Sequence, residues 1–160
     1  MSLGIRPLHR DDIPAWYRIT QEAEPWAKET VPTLAHFRAA VSRREGFALE
    51  DEAGLVGVIS FSDLTPCLDA VIHATVSPTT QGRWCSRAVL RTVFGFAFTV
   101  LALERLSAYR IVGVAQDRVG GFLEAMGFQA EGVRRHALAL PDGFYDVALY
   151  GLLKGDCRWV

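Results

Sequence analysis

Thr79-Thr80-Gln81-Gly82-Arg83-Trp84-Cys85-Ser86-Arg87 decides how this chain is read. An apolar run, Ala70 to Val76, leads into the stretch, and a long apolar segment, Ala88 to Leu103, follows it. The pattern predicts a strand, a short polar turn and a helix. N–H groups at a helix start lack intrahelical partners and favour an anion there. Arg83 and Arg87 add positive charge at the same end. The turn is therefore predicted to seat a phosphate or pyrophosphate, although strand–turn–helix units are common and by themselves name no ligand.

Composition bounds the alternatives. At 160 residues the chain fits one domain, 1–160, able to bury a core. Half of the residues are apolar and 22% are charged, as in ordinary soluble proteins. A net charge of −1 gives no nucleic-acid footprint. Cys67, Cys85 and Cys157 are widely spaced and form no C-x-x-C pair, which argues against a disulfide framework or a zinc knuckle. Reduced thiols in a cytoplasm are the simpler expectation. The N-terminus shows no signal-peptide core. Arg91 and Gly95 interrupt the long apolar stretch, which falls short of the ~18 apolar residues of a membrane span. A helix buried in the core is expected instead, with no membrane partner.

Outward from the loop, the periodicity predicts the other elements. Gly4 to Leu8 reads as a strand. Asp11 or Asp12 can cap a helix that tolerates Pro14 in its first turn and turns Ile13, Trp16, Tyr17 and Thr20 to one face. Glu24-Pro25-Trp26 breaks that helix. Thr33 can cap the next, with Leu34, Phe37 and Val41 inward. Phe47 to Glu50, Leu55 to Phe61 and Leu68 to Val76 read as strands, with a turn at Asp51 to Gly54. After the long helix come a strand from Arg105 to Val112 and a helix capped by Asp117, carrying Val119, Phe122, Leu123 and Met126, with Gly127 at its end. Phe128 to Leu140 and Phe144 to Leu153 flank Pro141-Asp142-Gly143 as a hairpin. The order β α α β β β α β α β β implies an α/β (α+β) sheet of mixed direction.

Several local patterns carry a resemblance. Leu103-Glu104-Arg105-Leu106-Ser107-Ala108, Phe122-Leu123-Glu124-Ala125-Met126-Gly127-Phe128, Glu131-Gly132-Val133-Arg134-Arg135, and Asp142-Gly143 followed by Asp146, Tyr150 and Leu152-Leu153 stand in order. Together they resemble the GNAT superfamily of acyl-CoA-dependent N-acyltransferases, and within it the Rim-type branch that modifies N-terminal amines of ribosomal proteins. The resemblance covers nearly the whole chain. It implies the GNAT fold, a mixed, mostly antiparallel sheet with helices on both faces and splayed fourth and fifth strands. It implies acetyl transfer from acetyl-CoA, without a metal, to a primary amine on a peptide or small molecule, with a homodimer as the candidate assembly.

The family's acyl-CoA loop, Q/R-x-x-G-x-G/A, falls on Gln81, Gly82, Arg83, Trp84, Cys85 and Ser86, with Arg87 beside it as a phosphate contact. Trp84 replaces a glycine that would let backbone approach the pyrophosphate, and Ser86 replaces Gly or Ala. The branch's N-x-x-S, an Asn on the cofactor and a Ser that protonates the departing thiolate, falls on Gln116 and Val119. The family's alternative Tyr falls near Leu123. Neither Val nor Leu donates a proton. A backbone N–H near Val76 is the implied oxyanion donor. These departures keep a second reading open, a non-catalytic CoA-binding or partner-binding module.

The amine must lose its proton before it attacks, so a base near working pH is needed. His73, on the strand before the loop, is the candidate. It shares strand parity with Asp69, which is expected to orient it or to bind amine. The plain alternative is a hydrogen-bonded strand histidine. His136 is a lesser candidate, and His9 and His36 read as surface residues. Cys85 sits at a helix start, where a thiolate would be stabilised, but no Cys–His spacing accompanies it, and it is read as a small buried hydrophobe. Glu24 and Trp26, at the break between the first helices, suit a cationic amine, a carboxylate beside an aromatic; ordinary capping and surface charge are the alternative. Trp16 and Tyr17 are assigned to the core.

Overall fold

The computed structural model describes residues 3–24, 26–80, 82–114 and 118–160. The chain divides into two compact units, Met1–Ser62 with His73–Val93, and Asp63–Ile72 with Phe94–Val160.

The first unit opens on β1 (Gly4–Pro7) and a 3-10 turn (Arg10–Asp12), followed by α1 (Ile13–Ala23), the single-turn α2 (Ala27–Thr30) and α3 (Leu34–Val41). Asp12 does not cap α1 with its side chain. Its carboxylate instead accepts from the His9 N–H at 2.8 Å and pairs with the Arg6 guanidinium at 2.8 Å. The His9 ring accepts from the Asp11 N–H, so the cap lies one turn earlier than the sequence suggested. Thr33 does cap α3, accepting from the His36 N–H at 3.2 Å. β2 (Glu45–Asp51) pairs antiparallel with β1 and with β3 (Gly54–Thr65), and the strand order is β1-β2-β3-β4. Ile13, Trp16, Phe37, Val41 and Val58 form the core of this unit, with Tyr17 and Leu34 packed against it. The Trp16 and Phe37 rings meet edge to face at 5.2 Å, a favoured aromatic geometry.

β4 (Asp69–Val76) starts in the second unit and ends in the first. Within the second unit the order is β4-β5-β7-β6. Asp69–Val71 pair in parallel with Arg105–Ser107 of β5 (Arg105–Ile111), and the ladder stops there. β5 continues to Ile111 against β7 (Gly143–Leu153), which in turn pairs with β6 (Gln129–Leu140). The long helix predicted to Leu103 changes form midway. α4 runs Arg87–Gly95, and Phe96–Val100 wind as a π-helical turn. α5 (Val119–Met126) ends at Gly127 with φ 107°, the left-handed residue expected there. The Asp117 cap lies outside the described residues. Phe94 packs on Phe98 and Phe128, with both centroid distances 6.3 Å.

Gly151 on β7 has a packing reason to be glycine. A Cβ there would stand 2.7 Å from the Arg105 guanidinium and would also strike the Glu131 carboxylate. The missing side chain leaves the space in which those two side chains pair, at 2.7 Å.

Candidate active site

Alternation along β4 places His73 and Thr75 on one face. His73 Nε2 lies 2.7 Å from the Ser62 hydroxyl of β3. Both side chains are half-buried. Thr75 donates to Glu24 Oε1 at 3.1 Å, tying the end of α1 to the same strand. Burial raises the Glu24 pKa above the ordinary carboxylate range, while hydrogen bonds with Thr75 and Trp26 and the charge of Arg44 oppose that rise. Desolvation wins because a carboxylate shielded from water loses more than these contacts return. The structure thus brings His73, Glu24 and Trp26 into one unit and adds Ser62 and Thr75, which sequence reasoning did not name. Thr75 was readable as the i+2 neighbour of His73. Ser62 was hidden because the packing of β3 beside β4, not local sequence, brings its hydroxyl to His73.

Val76 closes β4 and is buried. Ser77 then donates its N–H to the Val56 carbonyl at 2.8 Å, and Pro78–Thr80 form a 3-10 turn. Thr80 is buried, its hydroxyl donating to the Ser77 carbonyl. Gly82 follows with φ 87°, a left-handed conformation that glycine adopts without strain. Arg83 is exposed and folds its guanidinium back to the Thr79 carbonyl at 3.2 Å. Trp84 and Cys85 are half-buried, and the Cys85 thiol lies 3.9 Å from the Gly82 carbonyl. Ser86 caps α4, its hydroxyl accepting from the Val89 N–H at 3.3 Å. Arg87, exposed, begins the helix. An exposed basic loop ending at a capped helix start fits a pyrophosphate. Gln81 and Gln116 lie outside the described residues.

Asp69 has a different setting from the one expected. Ser107 donates to both of its oxygens, at 2.8 and 3.1 Å, and Arg105 stands at 3.6 Å. Arg105 also pairs with Glu131. Three strands of the second unit, β4, β5 and β6, are joined by this network. His73 Nε2 meets Ser62, and the Asp69 carboxylate is engaged by β5. His136 is exposed on β6, stacked on Phe144 with centroids 5.6 Å apart. His9 and His36 are exposed. Val119 is exposed at the first position of α5, and Leu123 is buried. Among the described residues no three His, Cys, Asp or Glu side chains gather as metal ligands, and no helix is long and apolar enough to cross a membrane.

Solved structures share this fold. A chimera of the spermidine N-acetyltransferase SpeG from Vibrio cholerae and hSSAT superposes with a TM-score of 0.79 at 18% identity, covering 97% of both chains. The Vibrio cholerae spermidine N-acetyltransferase in complex with CoA and spermine gives 0.78 at 18% identity, covering 96% of each chain. A putative phosphinothricin N-acetyltransferase gives 0.79 at 20% identity, over 95% of this chain and 98% of that one. No curated protein matches the sequence. The family model described as an acetyltransferase (GNAT) domain matches residues 2–129. With that match over most of its length, the chain belongs to the GNAT acetyltransferases, enzymes that transfer acetyl from acetyl-CoA to an amine.

Proposed function

We propose that this enzyme acetylates a small cationic primary amine carrying a second positive charge. The observation that carries the reading is the pairing of two polar sites on one face of β4. One is His73 with Ser62, and the other is Glu24 with Thr75 and a Trp26 contact. Residues two apart on a strand stand about 7 Å apart along it. A diamine or polyamine can therefore leave one ammonium at Glu24 while presenting its reacting nitrogen to His73. A bound cation returns Glu24 to its charged form, because opposite charge offsets desolvation. The SpeG relatives, named for spermidine and one of them bound to spermine, support this acceptor class. The Rim-type resemblance supports an N-terminal peptide amine instead, which carries one ammonium.

In this reading Arg83 and Arg87, with Gly82, Trp84, Cys85, Ser86 and the helix start, hold the pyrophosphate of acetyl-CoA. The Val76 N–H faces the developing oxyanion, and His73 accepts the amine proton. Thioester chemistry comes with the co-substrate, while the protein contributes orientation and proton handling.

CoA release with a panel of diamines, monoamines and N-terminal peptides tests the proposal. Diamines should be the best acceptors. Glu24→Gln should raise KM for diamines about tenfold, the equivalent of one charge-assisted contact, and leave monoamines little changed. A preference for peptides, or equal losses on all acceptors, contradicts the proposed acceptor. No turnover with any amine contradicts the enzymatic reading and leaves the CoA-binding or partner-binding module.

A further inference from the structure

We infer that Ser62 is a second catalytic residue, a hydroxyl that passes protons between the reacting nitrogen and His73. The inference rests on the proposed role of His73 as base. It comes from one distance and one absence in the sequence. His73 Nε2 stands 2.7 Å from Ser62 Oγ, within the range for a base poised on a hydroxyl. In the tautomer that leaves Nε2 unprotonated, this contact gives a proton a direct path from the hydroxyl to the ring. Ser62 is half-buried at the end of the buried run Val56–Phe61 of β3. It thus follows a buried, largely apolar run, a setting with a defined geometry but not sealed from a substrate.

The proton balance closes without a covalent intermediate. The attacking nitrogen gives a proton to Ser62 Oγ, and the Ser62 hydroxyl proton moves to His73 Nε2. Ser62 is neutral before and after, and His73 becomes imidazolium. When the C–S bond breaks, the relay runs in reverse and the thiolate receives the proton. The other proton of the original ammonium goes to solvent. This return step answers a chemical gap in the sequence. Val119 and Leu123 stand where the family keeps hydroxyls and cannot protonate a thiolate. A Ser62–His73 relay serves as both base and acid.

Three variants of the full chain test it against amine acceptors and acetyl-CoA. Ser62→Ala should lower kcat by about 10²-fold, the usual worth of positioned acid–base catalysis, while acetyl-CoA affinity stays unchanged. Ser62→Thr, which keeps a hydroxyl, should recover most of the rate. The double variant Ser62→Ala/His73→Gln should be no slower than His73→Gln alone, because the two groups act as one unit. A proton inventory in mixed light and heavy water should bow for the wild type and become linear for Ser62→Ala. Wild-type kcat in Ser62→Ala, independent multiplying losses in the double variant, or an acetyl group found on Ser62 by intact mass measurement each overturns the relay. If the wild type turns over normally and Ser62→Ala keeps the same kcat, only the relay fails. If no amine is acetylated by the wild type, the proposed function fails with it.

Discussion

Glu24 shows how a single side chain links stability to chemistry. Burial raises its pKa in the folded chain. A carboxyl with a raised folded pKa holds its proton more tightly when folded. Stability therefore falls as pH climbs from the ordinary carboxylate range through the raised value. Glu24→Gln, uncharged and still able to accept from Thr75, should melt higher than the wild type at neutral pH and equal to it near pH ~4. Thermal melts at the two pH values decide this, and a lower melting temperature at neutral pH contradicts it. His73→Gln should flatten the acid limb of the pH–rate profile and lower kcat by about 10²-fold, with acetyl-CoA affinity intact; an unchanged profile returns His73 to a structural role. At this scale the sequence was half legible. Glu24, Trp26 and His73 were visible because charged and aromatic residues at a helix break, and an imidazole in an apolar strand, are unusual by type. Ser62 and Thr75 are ordinary by type, and only register and packing gave them partners. Asp69 was unusual by type as well, yet its partners Ser107 and Arg105 come from β5, with Ser107 38 residues away in the chain, where local pattern has no reach.

Elements were read more reliably than their ends. Every predicted strand exists, because alternation and apolar runs persist over whole segments. The misread boundaries have local physical causes. Asp12 turned to Arg6, leaving His9 as the cap, and the long helix changed to π-helical winding after Gly95. The end of α5 depends on residues with no helical signal. Trp159 donates its indole N–H to the Met126 carbonyl at 2.9 Å, and Arg158 donates to the Ala125 carbonyl. Helix ends need such partners for their last carbonyls. Trp159→Phe should therefore cost about 1 kcal/mol, one hydrogen bond with most of the ring kept, measured by urea unfolding; no change contradicts the capping role. At the other end of α5, Val119→Ser places a hydroxyl where the family has one. If Ser62–His73 already supplies the acid, turnover rises little in the wild-type background and more in Ser62→Ala. Equal gains in both backgrounds argue that thiolate protonation limits the rate regardless of the relay.

Across the whole molecule, the chain's composition excluded more than it identified. A near-zero charge and unpaired cysteines pointed away from nucleic acid, zinc and disulfide frameworks, and the ordered run of short motifs pointed to the acetyltransferase fold. Division into two units was not legible, since β3 and β4 each run through both and no linker composition marks the change. On the proposed reading, the chemistry as a whole depends on residues 81–87 seating acetyl-CoA. Arg83 and Arg87 are exposed there, and Trp84 is half-buried beside them. Calorimetric titration of the full chain with acetyl-CoA reads this directly. Saturable binding is expected, weakened about tenfold by Arg87→Ala, the worth of one charge-assisted contact, and preserved or strengthened by Trp84→Gly. Absence of saturation at millimolar acetyl-CoA, or affinity indifferent to Arg83→Ala and Arg87→Ala together, would show that this loop does not hold the co-substrate.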